Sequence, residues 1–173
     1  MLPIDVVVIL FWVAVVFGFR FCPDGDPRGF YRKRRVPLSP PGWVFGVVWA
    51  ALYACIAGAG VMFYYARPHD VWQYTVGGIL LICNIPLNKA WTPLFFAGRQ
   101  TWLAAADALA ICLTAVGFCV TTAWIGWGWE DVYAWIAFGL FVPYVLWTAF
   151  ATFLSLEYAL GWDKTPHKHH ERH

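Results

Sequence analysis

A chain of 173 residues with 61% hydrophobic and only 13% charged side chains has too little polar surface to face water. That balance excludes an ordinary soluble domain and makes hydrocarbon the main solvent, with room for one domain. The net charge of +2 says little by itself, whereas twelve tryptophans and 20% aromatic content favour headgroup boundaries and apolar ligand cavities.

The first apolar segment covers residues 3–21 (PIDVVVILFWVAVVFGFRF). Asp5 precedes its core and Arg20 follows it, the reverse of a signal peptide, so it is expected to stay as a membrane helix. Residues 22–39 form the longest loop, rich in Pro and Gly, with the run Arg32-Lys33-Arg34-Arg35 as its densest charge. That loop joins two membrane helices, so its partner is expected to be anionic lipid headgroups rather than nucleic acid.

Pro40 and Pro41 then open a helix over about 41–65, since proline fits a first turn whose N–H groups are unpaired. Trp43, Val47 and Ala50 share one stripe of it; Phe45, Trp49, Leu52 and Tyr53 crowd another. Ala54, Ala57, Gly58, Ala59 and Gly60 are expected to let a neighbouring helix approach closely. A short connection (66–70) leads to a third apolar run over 71–96, broken by Pro86 and carrying Asn84, Asn88 and Lys89. After a turn at 97–100 come a fourth segment over 101–124 with Asp107 near its entry, a turn region IGWGWED, and a fifth segment over 132–158 containing Pro143. The predicted fold is thus an all-α integral membrane protein, a bundle of five transmembrane helices within residues 1–162, followed by a polar His-rich tail over 163–173. Lys and Arg concentrate in the long first loop, the Arg99 turn and the tail, which places the loop and the C-terminus on the cytosolic side.

Candidate site residues follow from what lipid cannot satisfy. Asn84, Asn88 and Trp91 share one face of the third helix, with Asp107 expected to approach them from the fourth. They serve either as interhelical hydrogen bonds or as the polar end of a cavity. Pro143, Tyr144, Trp147, Phe150 and Ala151 recur at helical spacing on the fifth helix, and Pro86 and Pro143 are expected to kink their helices. Trp43, Trp49, Tyr53, Trp91 and Trp147 would then converge from three helices on a flat apolar cavity suited to a planar ligand. No His lies inside a span, which argues against permanent haem. The five cysteines include no C-x-x-C pair, which argues against a zinc site and a disulfide framework. Cys55, Cys83, Cys112 and Cys119 fall in apolar runs and are expected to pack as small hydrophobes, and no metal site or catalytic residue is assigned.

Three ordered stretches carry a resemblance: PPGWVFGVVWAALY (40–53), NKAWTPLFFAGRQ (88–100) with Asp107 downstream, and VPYVLWTAFATFLS (142–155). The chain resembles the translocator protein, or tryptophan-rich sensory protein (TspO/MBR), family over most of its length. The resemblance implies a receptor or translocator that binds tetrapyrroles (porphyrin, haem precursors) and sterols, as a homodimer or within a larger assembly, in a mitochondrial or bacterial envelope membrane. The implied pocket comprises Trp49, Tyr53, Asn88, Trp91, Trp147 and Ala151, joined by Tyr144 from the aromatic stripe, with the loop 22–39 as its lid. Leu154, Tyr158 and Lys164 fit the loose sterol pattern at the end of the fifth helix. Phe30-Tyr31 stands where the family often has Trp-Tyr, Leu38-Ser39 stands where it has a Trp before the double proline, and Lys89 takes a frequently aromatic place. With one loop indole gone, light-dependent porphyrin breakdown ranks third, behind ligand binding and behind a structural role in a larger complex.

Overall fold

The computed structural model describes residues 3–18, 40–66, 71–97 and 100–162. The described residues form five helices: α1 (Ile4–Gly18), α2 (Gly42–Tyr65), α3 (Val71–Thr92), α4 (Thr101–Trp129) and α5 (Val132–Trp162). Three of them, α2, α4 and α5, are long and apolar enough to cross a bilayer. Exposed indoles lie near both ends of α4, where the headgroup boundary favours them. From Trp102 to Trp124 along α4 runs about 33 Å of helix at about 1.5 Å per residue, close to the hydrocarbon thickness of about 30 Å. Trp72, Trp127, Trp129, Tyr133 and Trp135 are exposed toward the same end as Trp124, the distribution expected of an aromatic belt.

The most extensive packing is α4 on α5, followed by α3 on α4, α2 on α5 and α1 on α2. Small residues set these approaches, as the sequence suggests. A Cβ at Gly60 would fall 2.2 Å from the Trp12 indole of α1, and one at Gly58 would lie 3.2 Å from Leu140 of α5. Ala59 between them is fully buried. At the far end of the bundle Phe63 stacks on Tyr74 with centroids 4.9 Å apart, and Phe118 meets Phe63 and Phe141.

Several boundaries differ from the sequence reading. The third helix does not run evenly to residue 96: it ends at Thr92 and opens into a wider π turn, Pro93–Ala97. Pro93 has no N–H to give Lys89, so the ladder breaks there, and Gln100 N–H closes the turn on the Leu94 carbonyl at 3.1 Å. IGWGWED is not a turn over most of its length, because α4 continues to Trp129. Gly126 serves close packing instead, since a Cβ there would come within 2.9 Å of the Trp135 ring. The reversal falls to Glu130, in the left-handed region at φ 50°, and to Asp131, whose Oδ1 accepts the Ala134 N–H at 2.9 Å and caps α5. Both helices that contain Pro86 and Pro143 run on through them, with the proline rings on exposed faces. Cys119 is buried, Cys55 and Cys112 are half-buried, and Cys83 is exposed on the outer face of α3, against the packing expected of it.

Candidate functional site

The buried positions of α3 are Gly77, Leu81, Asn84, Asn88 and Trp91, a spacing of alternately four and three residues that keeps one stripe turned inward. α3 packs its backbone chiefly on α4 and reaches α5 through long side chains. These form a chain of hydrogen bonds across the interior. Asn88 Nδ2 donates to Tyr144 Oη at 2.7 Å, and Tyr144 Oη donates to Asn84 Oδ1 at 2.6 Å. Asn84 Nδ2 donates in turn to the Ile111 carbonyl at 3.0 Å and to Thr114 Oγ1 at 2.8 Å on α4. One helical turn further along α3, Trp91 Nε1 donates to Ser155 Oγ at 3.2 Å, and Ser155 itself donates to the Ala151 carbonyl.

Beside this ladder lies a small space of about 10 Å³, lined by Trp49 of α2, Asn88 and Trp91 of α3, Ala108 and Ile111 of α4, and Thr148 and Ala151 of α5. Its walls are almost wholly apolar, and its width admits about one water molecule. The space sits in the half of the bundle where α2 begins and α3 ends.

Of the sequence-predicted residues, Trp49, Asn88, Trp91 and Ala151 meet at this space. Tyr53 stacks on Trp49, centroids 5.3 Å apart at 29°. Tyr144 is fully buried and acts as the hydrogen-bonded hinge of the ladder, with Trp49 edge-on to it at 6.4 Å. Trp147 stands edge-on to Trp49 at 6.5 Å but lines a different, outer groove. Trp43 does not converge with the others: it is 71% exposed, on the outward stripe with Val47. Asp107 makes no hydrogen bond to the asparagines. Asn84 finds its partners at Ile111 and Thr114, further along α4, and Asp107 Oδ2 is buried with no hydrogen-bond partner among the described residues. Leu154 and Tyr158 are buried in the core, where Tyr158 meets Phe95 edge-on at 5.3 Å, so a sterol lying on the lipid face of α5 would not touch them. Lys164, the loop 22–39 and the tail histidines lie outside the described residues.

The sequence reading missed Thr148, Ala108 and Ile111 as wall residues and Ser155 as the partner of Trp91. The signal was present as spacing, because Thr148, Ala151 and Ser155 recur at three and four residues along one face of α5.

The model of the TspO/MBR family matches residues 6–160. The chain is similar to the translocator protein homolog of Schizosaccharomyces pombe, 33% identical over 150 residues that cover 86% of this chain and 87% of that protein. It is also similar to the tryptophan-rich sensory protein of Cereibacter sphaeroides, 31% identical over 143 residues and covering 80% of each chain. With the human translocator protein it shares 29% identity over 138 residues, 80% of this chain and 77% of that one.

Proposed function

The chain belongs to the TspO/MBR family, and from that premise we propose that it binds a flat, largely apolar guest of the tetrapyrrole class between its helices, for sensing, sequestration or transfer. The observation that carries this reading is the aromatic space walled by Trp49 and Trp91 with the Asn88 amide at its edge. Indole faces stack on a conjugated macrocycle, and an amide anchored by Tyr144 offers one fixed polar contact, which orients a guest without demanding much desolvation. At about 10 Å³ the resting space is far below the usual range for small-molecule sites, about 300–1,000 Å³, so the guest enters by displacing side chains. Trp49 and Tyr53 are only half-buried and Trp49 stacks on Tyr53, so this reading takes the α2 rings as the wall that yields. The loop and C-terminus face the cytosol in this reading, by the placement of Lys and Arg.

A second reading, an architectural subunit of a larger membrane assembly, draws on that same near-filled interior. Titration of the purified protein with protoporphyrin IX separates the two. Quenching of the intrinsic tryptophan fluorescence, weakened at least tenfold by Ala151→Phe, supports binding in this space. No quenching, together with co-purifying stoichiometric partners, refutes it in favour of the architectural role.

A further inference from the structure

The outer groove between α2 and α5 is the feature the binding reading leaves unused. It holds about 510 Å³ and is lined by Val47, Ala51 and Leu52 of α2 and by Pro143, Leu146 and Trp147 of α5. Val47 and Leu146 are highly exposed, so the groove opens sideways on the face that two membrane-crossing helices turn to lipid. It lies at the same level as the inner space. On α2 the groove residues Val47 and Val48 immediately precede the cavity residue Trp49, and on α5 Trp147 immediately precedes the cavity residue Thr148.

What divides the two volumes is a pair of rings: Trp49 faces the inner space, Trp147 faces the groove, and they meet edge-on at 6.5 Å. Trp147 also has an unsettled polar atom. Its Nε1 is shut away from the surface and finds no acceptor among the described residues, whereas Trp91 gives its N–H to Ser155. A buried donor without an acceptor is penalised where it stands, so a rotation that offers it an acceptor recovers a hydrogen bond. Phe45 and Phe150, the other rings against Trp147, contact it at 5.5 Å and 5.6 Å and form no hydrogen bond that would lock it.

We propose that the groove between α2 and α5 is a lateral entrance through which a bilayer-dissolved planar molecule reaches the inner space, with the Trp147 indole as the leaf between them. The occupant is a lipid-soluble guest because the approach is apolar throughout and opens into hydrocarbon, where such a molecule is already concentrated. An acceptor on the guest's edge would take the Trp147 N–H in passing. The inference rests on the binding reading above, and the two fail differently.

The experiment follows stopped-flow quenching after the full-length protein in phosphatidylcholine vesicles is mixed with vesicles carrying protoporphyrin IX. Ala51→Phe, which narrows the groove without touching the inner space, is expected to slow association and dissociation alike by about tenfold and to leave Kd within about twofold. Val47→Phe on the same wall should act in the same direction. Leu113→Phe, on the exposed face of α4 away from the groove, should leave both rates unchanged. Wild-type quenching with rates that neither groove variant alters overturns the entrance and leaves the binding reading standing. No wild-type quenching overturns both.

Discussion

Tyr144→Phe removes one oxygen from the centre of the bundle and nothing else. That oxygen accepts from Asn88 at 2.7 Å and donates to Asn84 at 2.6 Å, so the change breaks two interhelical hydrogen bonds and leaves a buried amide donor and a buried amide acceptor facing a ring edge. In water-soluble proteins each orphaned group costs about 1–3 kcal/mol. Inside a bilayer the unfolded reference also finds partners, and the measured average falls to about 0.6 kcal/mol per interhelical bond. Asn84 loses the donor to its Oδ1 but stays tethered through Nδ2 to Ile111 and Thr114, so the membrane figure is the better guide for its half, and the full loss applies to Asn88. The expected destabilisation is about 1.6–3.6 kcal/mol, roughly a 15-fold to 400-fold shift in the folding equilibrium. Reversible unfolding in mixed micelles, titrated with a denaturing detergent, reads it as a shifted midpoint at unchanged slope. A cycle with Asn84→Leu supplies the sharper check. If the two side chains act through one bond, the double variant loses less than the sum of the single ones. Strict additivity, or a Tyr144→Phe midpoint equal to that of the wild type, would refute the ladder as the element that joins α3 to α5.

Gly60→Ala should loosen α1, since its new methyl would overlap the Trp12 indole, and Trp12→Ala in the same chain should restore the resistance of α1 to limited proteolysis. Leu154→Ala, at a fully buried position, is expected to cost about 2–5 kcal/mol, while Leu146→Ala at the lipid face should cost under about 0.5 kcal/mol in the same detergent titration. Equal effects at the two leucines would mean that the inward and outward faces of α5 are misassigned.

Composition and run length were enough to read the helices and the bundle, because in hydrocarbon the backbone must close its own hydrogen bonds and every apolar run of sufficient length becomes a helix. The inward face of α3 was legible for the same reason: Asn84 and Asn88 have no partners in lipid and must turn toward other helices. What escaped the reading was decided by packing. Trp43 and Trp49 look alike in the sequence, and in a membrane both an inward and a boundary position suit an indole, so the half-burial of Trp49 and the exposure of Trp43 depend on where α5 lies. Glycines in IGWGWED read as a turn, yet Gly126 is there to admit Trp135. Hydropathy carries no signal for that distinction, because a glycine that bends the chain and one that lets a ring approach are the same residue.

The near-closed interior sets how tightly a guest is expected to bind. Opening the space means lifting Trp49 from Tyr144 and from Trp147, two edge-on contacts of about 0.5–1.5 kcal/mol each beyond their buried area. The sum, about 1–3 kcal/mol, is subtracted from the intrinsic affinity as the cost of populating the competent state, a factor of about 5–150 in Kd. The ladder is outside that sum, since Tyr144, Asn84 and Asn88 keep their bonds whether or not Trp49 moves. Polar groups therefore hold α3, α4 and α5 as a fixed frame, while the stacked rings on α2 and the Trp147 indole form the part that yields. Under the proposed binding function, such a division of labour predicts moderate affinity and ready release, which suits a sensor or carrier in exchange with the bilayer better than a permanent store.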